Sequence, residues 1–426
     1  MTQQGDHINR LTDHLFRHEA GKMVSVLTKI FGPENLETAE DVVQDTLLQA
    51  MQIWKLKGVP ENPSAWLFRV AKNKAIDIIR RNKHSVQYDF NDSERALLKS
   101  EYTLAATMDS LWKEELVKDD LLRMMFACCH PGISQENQVT LILKTLCGFS
   151  TAEIAKTFLS SEDTVSKRLY RAKEFFREHK IRFELPPEAE LKNRTGAVLN
   201  AIYLLFNEAY NSTHSEAVIR KDLMDEAMAL CRLLTENRLT QLPETYALMA
   251  LMCFHASRNA SRLTDAGEII LLPRQDRSKW NTALIDEGNE YMNLAASGDQ
   301  VSSYHIEAAI AYEHCSAESF DKTDWRKILG LYDWLCRVAP SPIAELNKAV
   351  AVMEVHGPAE ALKALLEIPE RNKMESFYLF HSLLGEVYYR LNNFDDAKKS
   401  LETAIRLTQS DAEKKILRNK LAVLLN

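Results

Sequence analysis

Cationic side chains recur at helical spacing in two stretches of the sequence. The first stretch, residues 66–83, holds six Lys and Arg residues against one acid, Asp77. The second stretch, residues 164–178, places Lys and Arg on the outer faces of an amphipathic pattern. Cations of this kind neutralise phosphates, and side chains near a helix N-terminus can reach base edges in the major groove. The pair of stretches favours nucleic-acid binding, and a solvated basic face is the alternative interpretation.

The second stretch also has the pattern of a helix-turn-helix. Ser160 or Ser161 can cap a helix that begins at the polar kink between two short helical patterns. A helix over residues 164–178 would be about 22 Å long at about 1.5 Å per residue, enough to lie in a major groove. The expected apolar face, which would pack on the preceding helix, consists of Val165, Leu169, Ala172 and Phe176.

The elements that position these cations all have helical periodicity, so the sequence predicts an all-α fold. The predicted domains are residues 1–82, a linker over 83–112, residues 113–185 with the helix-turn-helix, and residues 186–426. The last boundary follows from "LPPEAE", because paired prolines end a helix.

In the first domain, "AEDVVQDTLLQAMQIW" places Val42, Leu47, Met51 and Trp54 near one apolar stripe. A second helix is expected to begin at Pro63 and Ser64. These two patterns predict helices packed against each other.

The C-terminal domain shows a weak repeat. The final stretch follows the small and large positions of a tetratricopeptide repeat at Leu384, Gly385, Tyr388, Ala397, Leu401 and Ala404. A TPR-like helical-repeat domain is therefore predicted, with a generic helical bundle as the alternative. One insert, "SRLTDAGEIILLPRQDRSKWN", interrupts the helical pattern and contains a short β-like run from Ile269 to Leu272.

Charge and composition narrow the function. The net charge is −7, and all of this excess lies in residues 186–426, because residues 1–185 carry 26 basic and 26 acidic side chains. A nucleic-acid surface should therefore be local and lie in the first half. No apolar run long enough for a membrane span and no signal-peptide pattern occurs, and the seven cysteines lack CxxC spacing, so a cytoplasmic protein is expected.

Chemical motifs of enzymes are absent from the sequence. We find no P-loop, no GxGxxG after a strand, no HExxH and no nucleophile motif, so no catalytic residues, no cofactor and no metal are predicted. "CCH" at Cys128 to His130 is interpreted as core packing in preference to a zinc fragment.

Three motifs together carry a resemblance to a known family. In this order, "AEDVVQDTLLQAMQIW", "PSAWLFRVAKNKAIDIIRR" and "TAEIAKTFLSSEDTVSKRLYRAKEFF" resemble the second and fourth conserved regions of bacterial extracytoplasmic-function (ECF) sigma factors. The resemblance covers roughly residues 10–182. The rest resembles the large C-terminal extension of one subgroup, through "FNEAY", "DAGEIILLPRQDRSKW", "TDW" and "PSPIAELNKAVAV".

The resemblance implies roles for individual residues and partners. The partners are core RNA polymerase, through its β′ clamp helices and β flap, and promoter DNA. Residues implied to bind the β′ clamp helices are Asp41, Val42, Gln44, Asp45 and Leu48. Residues implied to engage minus-ten DNA are Trp66, Arg69, Lys72, Asn73, Asp77, Arg80 and Arg81, with a flipped base captured by the loop from Lys55 to Asn62. The resemblance implies that the minus-thirty-five element is read by Ser166, Lys167, Arg168 and Arg171. We expect Thr164 and Lys173 to take part as well, because they lie on the same predicted helix.

The resulting hypothesis is a sigma factor that binds core polymerase, directs it to promoters and assists melting, without covalent chemistry of its own. We expect its acidic C-terminal domain to contact the sigma domains or polymerase and to regulate activity. The alternatives are a stand-alone helix-turn-helix regulator and a helical-repeat adaptor. The first leaves the helix around Asp41 to Trp54 unexplained, and the second predicts no requirement for polymerase.

Overall fold

The computed structural model describes most of the chain, and its regular structure there is helical. The described residues are 2–81, 109–158, 160–210, 221–264, 268–369 and 371–425. Residues 83–108 of the expected linker lie outside them. Within these ranges the single β feature is an isolated antiparallel bridge between Leu263 and Ile269, which confirms the all-α prediction. None of the described helices is long and apolar enough to cross a membrane.

The chain divides into two compact units. Unit 1 comprises Met1–Leu205 and Asp225–Thr240, and unit 2 comprises Phe206–Met224 and Gln241–Asn426. The helices of unit 1 are α1 (Thr2–Phe31), α2 (Leu36–Lys57), α3 (Pro63–Arg81), α4 (Glu114–Cys128), α5 (Gln135–Thr145), α6 (Thr151–Thr157) and α7 (Glu162–His179), with most of α8 (Glu188–Tyr210) and α9 (Lys221–Glu236).

The helix starts in unit 1 follow local chemistry. Helix α3 begins at Pro63, as predicted, because proline lacks the N–H that the first helical turn leaves without a partner. Helix α8 begins at Glu188, directly after Pro186 and Pro187. The predicted boundaries of the domains remain predictions, although the compact unit extends past Leu185 into α8 and α9.

Packing in unit 1 joins α1–α3 to α4–α7. Gly21 on α1 lies against the backbone that follows α5, where a Cβ atom would come within 2.0 Å of the Leu146 carbonyl oxygen. Only a residue without a side chain permits this approach. The two groups of helices are therefore packed directly on each other.

Unit 2 is a series of helices and short 3-10 turns. After the end of α8 and the start of α9, its helices are α10 (Pro243–Ser257), α11 (Thr282–Ala295), α12 (Ser303–Ser316), α13 (Trp325–Val338), α14 (Pro342–His356), α15 (Pro358–Leu366), α16 (Arg371–Met374), α17 (Tyr378–Arg390), α18 (Phe394–Leu407) and α19 (Asp411–Leu425). The 3-10 turns of unit 2 are Asn259–Ser261, Leu272–Arg274, Arg277–Lys279 and Phe320–Lys322.

The hairpin of α17 and α18 packs through the positions that gave the repeat signal. Ala397 and Ala404 are fully buried, and Leu401 is nearly so. Gly385 lies so close to Leu401 that a Cβ atom would be 2.9 Å from that side chain. This is the small-against-large packing that a repeat pattern predicts, while the TPR-like assignment of the whole domain stays a prediction.

The expected β-like run at Ile269 to Leu272 is wrong as a strand. Ile269 makes one isolated bridge, and Leu272 already opens a 3-10 turn with Pro273 at its start. Proline fixes φ and lacks the backbone donor, so a ladder cannot continue through this position.

Candidate nucleic-acid and partner-binding surfaces

Helix α7 has the capped, amphipathic form that the sequence predicts. The Ser161 hydroxyl accepts a hydrogen bond from the Thr164 amide at 3.1 Å, so Ser161 is the N-cap. The four residues of the expected apolar face are all buried: Val165, Leu169, Ala172 and Phe176. Ile154 on α6 is buried as well, and α6 and α7 pack as a helix-turn-helix.

Most cations of α7 are held by acids within unit 1. Lys167 pairs with Asp163 of the same helix at 2.7 Å. Arg168 pairs with Glu136 on α5 at 2.6 Å. Asp163 therefore serves as an ion-pair partner of Lys167 within the first turns of α7.

The second pair of cations reaches across to α2. Lys173 pairs with Glu40 at 2.6 Å, and both side chains are largely buried. Arg177 lies 3.5 Å from Glu37 in a more exposed pair. No local pattern predicts these pairs, because Glu40 lies 133 residues from Lys173.

The remaining candidates on α7 differ in whether their side chains already have a hydrogen-bond partner. Ser166 and Arg171 are exposed, and no partner of either side chain occurs among the described residues. Thr164 shares a hydrogen bond of 2.9 Å with Ser161, so its hydroxyl takes part in the cap. Of the predicted reading residues, Ser166 and Arg171 are therefore those that combine exposure with the lack of a side-chain partner in the described part of the chain.

Helix α3 presents a polar stripe to solvent. The exposed residues of the predicted minus-ten set are Arg69, Asn73, Asp77, Arg80 and Arg81, while Leu67, Ala71 and Ala75 are fully buried on the other face. Lys72 differs from this set because its ammonium group pairs with Asp109.

The aromatic residue of the predicted set packs on its own fold. The Trp66 ring meets Trp54 on α2 edge to face, with ring centroids 5.4 Å apart. Trp66 is only partly buried, so one part of the ring stays accessible. This geometry anchors α3 to α2 and leaves limited ring surface for stacking.

The loop between α2 and α3 exposes apolar side chains. Leu56 is 85% exposed and Val59 is 46% exposed. Gly58 between them has a φ of +82°, a conformation that L side chains rarely adopt. The loop from Lys55 to Asn62 thus offers apolar contacts on a sharp turn.

Helix α2 carries a second exposed stripe. Asp41, Gln44 and Asp45 are exposed, and Asp45 lies 4.0 Å from Lys74 on α3. Leu48 on the same face is 55% exposed. Val42, by contrast, is buried at 3% and supports the helix from within.

Met51 continues this face and was assigned wrongly. The spacing predicts Met51 in the apolar stripe with Trp54, but the side chain is 56% exposed. With Leu48 it forms an apolar patch flanked by acids. An exposed apolar patch on a helix with acids beside it is typical of a protein-binding surface.

Asp120 forms a buried ionic bridge between α1 and α4. Its carboxylate lies 3.4 Å from Lys29 on α1 and 2.6 Å from Arg123 on α4. Burial raises the pKa of Asp120, and the two cations oppose that rise. A second ion pair, between Arg17 on α1 and Glu153 on α6, also links the two groups of helices.

The Cys128 to His130 segment lies in the core, as interpreted. Cys128 and Cys129 are fully buried, and burial raises the pKa of the Cys128 thiol to about 12. His130 instead packs against the Phe175 ring on α7. A protonated thiol is a poor metal ligand, in keeping with a packing role.

Comparison with known families locates three matches along the chain. Residues 15–85 match sigma-70 region 2, and residues 123–176 match sigma-70 region 4. Residues 194–296 match a family of unknown function, DUF6596.

Two relatives cover different shares of the chain. An uncharacterized protein of Rhizobium meliloti, R00370, is 34% identical over 387 residues, which are 91% of this chain and 90% of that protein. The ECF RNA polymerase sigma factor SigL of Mycobacterium tuberculosis is 32% identical over 139 residues, which are 32% of this chain and 70% of SigL. No solved structure matches the chain.

Proposed function

Because the chain belongs to the ECF sigma factors, with a role in promoter-directed transcription, we propose how its surfaces divide that task. Region 2, formed by α1–α3, binds core RNA polymerase and minus-ten DNA. Region 4, formed by α4–α7, reads the minus-thirty-five element and contacts the β flap. The protein itself catalyses no covalent step.

The exposed stripe of α2 carries the proposal for polymerase. Asp41, Gln44 and Asp45 offer charge and hydrogen bonds, and Leu48 and Met51 offer apolar area that the fold leaves in solvent. A helix with this composition suits docking on a partner helix pair of opposite charge, as expected for the β′ clamp helices. Acids on this stripe would repel DNA, which separates its role from that of α3.

Minus-ten DNA is assigned to α3 and the loop before it. The exposed Arg69, Arg80 and Arg81 can neutralise phosphates, and Asn73 can hydrogen-bond a base edge. Leu56 and Val59 border the loop in which an extruded base would be held. Extrusion costs a few kcal/mol, which apolar and stacking contacts in such a loop offset.

The packed arrangement of unit 1 implies a rearrangement on promoter binding. The two promoter elements are about 25 base pairs apart by their names, or roughly 85 Å at about 3.4 Å per base pair. A compact body of unit 1's size has a radius of gyration of about 17 Å. Regions 2 and 4 must therefore separate to occupy both elements, which breaks the pairs Lys173–Glu40 and Arg177–Glu37.

Regulation is assigned to the C-terminal part. Residues 186–426 carry the whole charge excess of −7, whereas the two basic helices proposed to face DNA belong to residues 1–185. An acidic domain on the same chain as such helices lowers their affinity for phosphate and adds discrimination against non-promoter DNA. We therefore assign it control of promoter engagement.

The test of the polymerase surface is a binding measurement with purified core RNA polymerase and the full-length chain. Leu48→Asp should weaken binding at least tenfold, because Leu48 is exposed in the fold but central in the proposed interface. Ile343→Asp is the matched control, since Ile343 is 54% exposed on α14 of unit 2. Equal affinity of both variants and the wild type would remove the α2 stripe from the polymerase contact.

A further inference from the structure

Two arginines, of which Arg258 is buried and Arg277 is partly buried, meet at one buried tryptophan in unit 2. The guanidinium carbon of Arg277 lies 4.5 Å from the Trp280 ring centroid, and that of Arg258 lies 5.8 Å from it. Trp280 is 5% exposed and Arg258 is 8% exposed. Arginine is almost never buried to this degree unless it is paired with an acid.

The described hydrogen-bond partners of these arginines are all neutral. Arg258 donates to the Tyr210 hydroxyl at 2.5 Å and contacts His255 Nδ1 at 3.1 Å. Arg277 donates to the carbonyl oxygens of His314 and Ala317. The positive charge of both guanidinium groups is thus left without a carboxylate among the described residues.

Two buried polar atoms in the same cluster also lack a partner. Nη2 of Arg277 and Nδ1 of His314 are buried and make no hydrogen bond within the described part of the chain. A buried polar group without a partner is destabilising by about 1–3 kcal/mol. A water molecule, an ion or a ligand can complete the hydrogen bonds of such groups.

The electrostatics agree with an anion site. Burial and the charges of Arg258 and Arg277 lower the pKa of His314 to about 3, so its imidazole is neutral at neutral pH. Burial and the same kind of cationic surroundings hold the pKa of His255 well below its ordinary value. The histidines add hydrogen-bonding capacity here, and the charge comes from the arginines.

An open groove borders this cluster at Arg277. It has a volume of about 360 Å³ and is lined by residues 272–273, 275–278 and 318–320. The acids beside it are already engaged, because Asp276 accepts two hydrogen bonds from Ser278 and Glu318 pairs with Lys322. A volume of this order accommodates a small molecule.

The segments that build the cluster are those that resemble the sigma-factor subgroup. Tyr210 belongs to "FNEAY", while Arg277 and Trp280 belong to the segment that ends in "RQDRSKW". Trp325 of "TDW" packs edge-on against His314, with ring centroids 5.4 Å apart. Stretches that are far apart in the sequence thus converge on one place.

We propose that the cluster of Arg258, Arg277, His255, His314, Tyr210 and Trp280, here called the arginine cluster, binds the oxyanion of a small molecule. A phosphate or carboxylate group accepts hydrogen bonds from the planar guanidinium fork and offsets its buried charge. This assigns a ligand site to the C-terminal unit, beyond the proposed role in promoter recognition.

The test is the binding of inorganic phosphate to the full-length chain. Binding is measured in two ways, by the rise of the thermal unfolding temperature and by broadening of the ³¹P resonance. Sodium chloride at the same ionic strength corrects for general salt effects. For the wild type, we expect the unfolding temperature to rise with phosphate concentration until it saturates. For Arg277→Met, we expect at least a tenfold loss of phosphate affinity. Arg274→Met, which removes an exposed cation three residues away, should bind as the wild type does.

A conservative variant keeps the test decisive if Arg277→Met does not fold. Arg277→Lys retains the charge but lacks the fork, and it should also bind phosphate more weakly than the wild type. Phosphate could also bind the basic helices α3 and α7. Broadening of the ³¹P resonance that is lost in the Arg277 variants comes from the arginine cluster, because binding to α3 and α7 does not depend on Arg277. No saturable binding in the wild type, or equal binding in the Arg277 variants, would overturn the proposal.

Discussion

At the scale of residues, the accessible cations of this protein are fewer than its sequence suggests. On α7, Arg168 and Lys173 are held by acids from other helices, whereas Arg171 is exposed and has no partner among the described residues. Counting Lys and Arg along a helix therefore overstates what can meet DNA in the packed form. Arg171 is the residue whose removal is most informative.

Arg171→Ala should weaken promoter binding and lower the slope of log affinity against log salt by about one unit, because one phosphate contact is lost. The measurement is a salt titration of promoter affinity for polymerase carrying the full-length chain. Arg406→Ala, an exposed cation in unit 2, is the control and should leave the slope unchanged. An unchanged slope with altered sequence preference would assign Arg171 to base contact, and unchanged binding would remove it from the interface.

His314→Gln should reduce the acid sensitivity of the protein. With a pKa of about 3 in the folded chain and an ordinary value of 6.5 when unfolded, His314 takes up a proton only on unfolding between these pH values. The wild type should therefore lose stability as pH falls below 6.5, by about 2 kcal/mol from this residue between pH 7 and pH 5.

Thermal unfolding at the two pH values measures this effect. At about 2–4 °C per kcal/mol for a unit of this size, the wild type should lose about 4–8 °C more than His314→Gln. His255 is retained in both proteins, so its contribution cancels. Parallel losses in the two proteins would contradict a neutral, buried His314.

At the scale of elements, the close contact between α1 and the segment after α5 decides whether regions 2 and 4 stay packed. Alanine in place of a helical glycine normally stabilises a helix by about 1 kcal/mol. At Gly21 the added Cβ atom would lie 2.0 Å from a backbone oxygen, which cannot move aside as a side chain would. The steric effect should outweigh the gain in helix propensity.

Gly21→Ala should therefore separate regions 2 and 4 or destabilise unit 1. The measurements are the radius of gyration from small-angle X-ray scattering, expected to rise by several Å, and the unfolding temperature, expected to fall. Gly196→Ala on α8 is the control, because no atom lies within 4 Å of its added Cβ. A Gly21→Ala protein as compact and stable as the control would show that the packing is not tight.

The local features of the helices could be predicted from the sequence, whereas contacts between distant segments could not. The cap at Ser161, the start of α3 at Pro63 and the buried face of α7 follow from local rules of capping and periodicity. Met51 was assigned to the wrong face, because 3.6-residue spacing fixes a stripe only to within one position. The partners of Lys173 and Arg277 come from distant segments, so no local pattern could identify them.

At the scale of the whole molecule, the boundary that the paired prolines predict does not coincide with the end of compact unit 1. The paired prolines at 186–187 end one segment, yet Arg194 on α8 donates to the Phe126 carbonyl at 2.6 Å, and Lys118 pairs with Glu236 on α9 at 3.2 Å. Removing everything after Leu185 would therefore remove parts of unit 1 itself. Comparisons that address the C-terminal part need variants of the full chain.

If the chain brings core RNA polymerase to a promoter through α2, transcription from that promoter should depend on the charge of the α2 stripe. The most direct measurement is run-off transcription with purified core polymerase on the promoter region of the protein's own gene, with the full-length chain. Asp45→Arg reverses a carboxylate that is 70% exposed on the proposed contact stripe. Asp395→Arg makes the same change of charge on exposed α18 of unit 2.

We predict a specific start site that depends on the wild-type chain, is lost with Asp45→Arg and is retained with Asp395→Arg. The physical reason is that a cation at the centre of the α2 stripe would oppose a basic partner surface, whereas the control lies far away along the chain. A start site that survives Asp45→Arg undiminished would remove α2 from the polymerase contact, and transcription that is the same without the protein would contradict its role in promoter recognition.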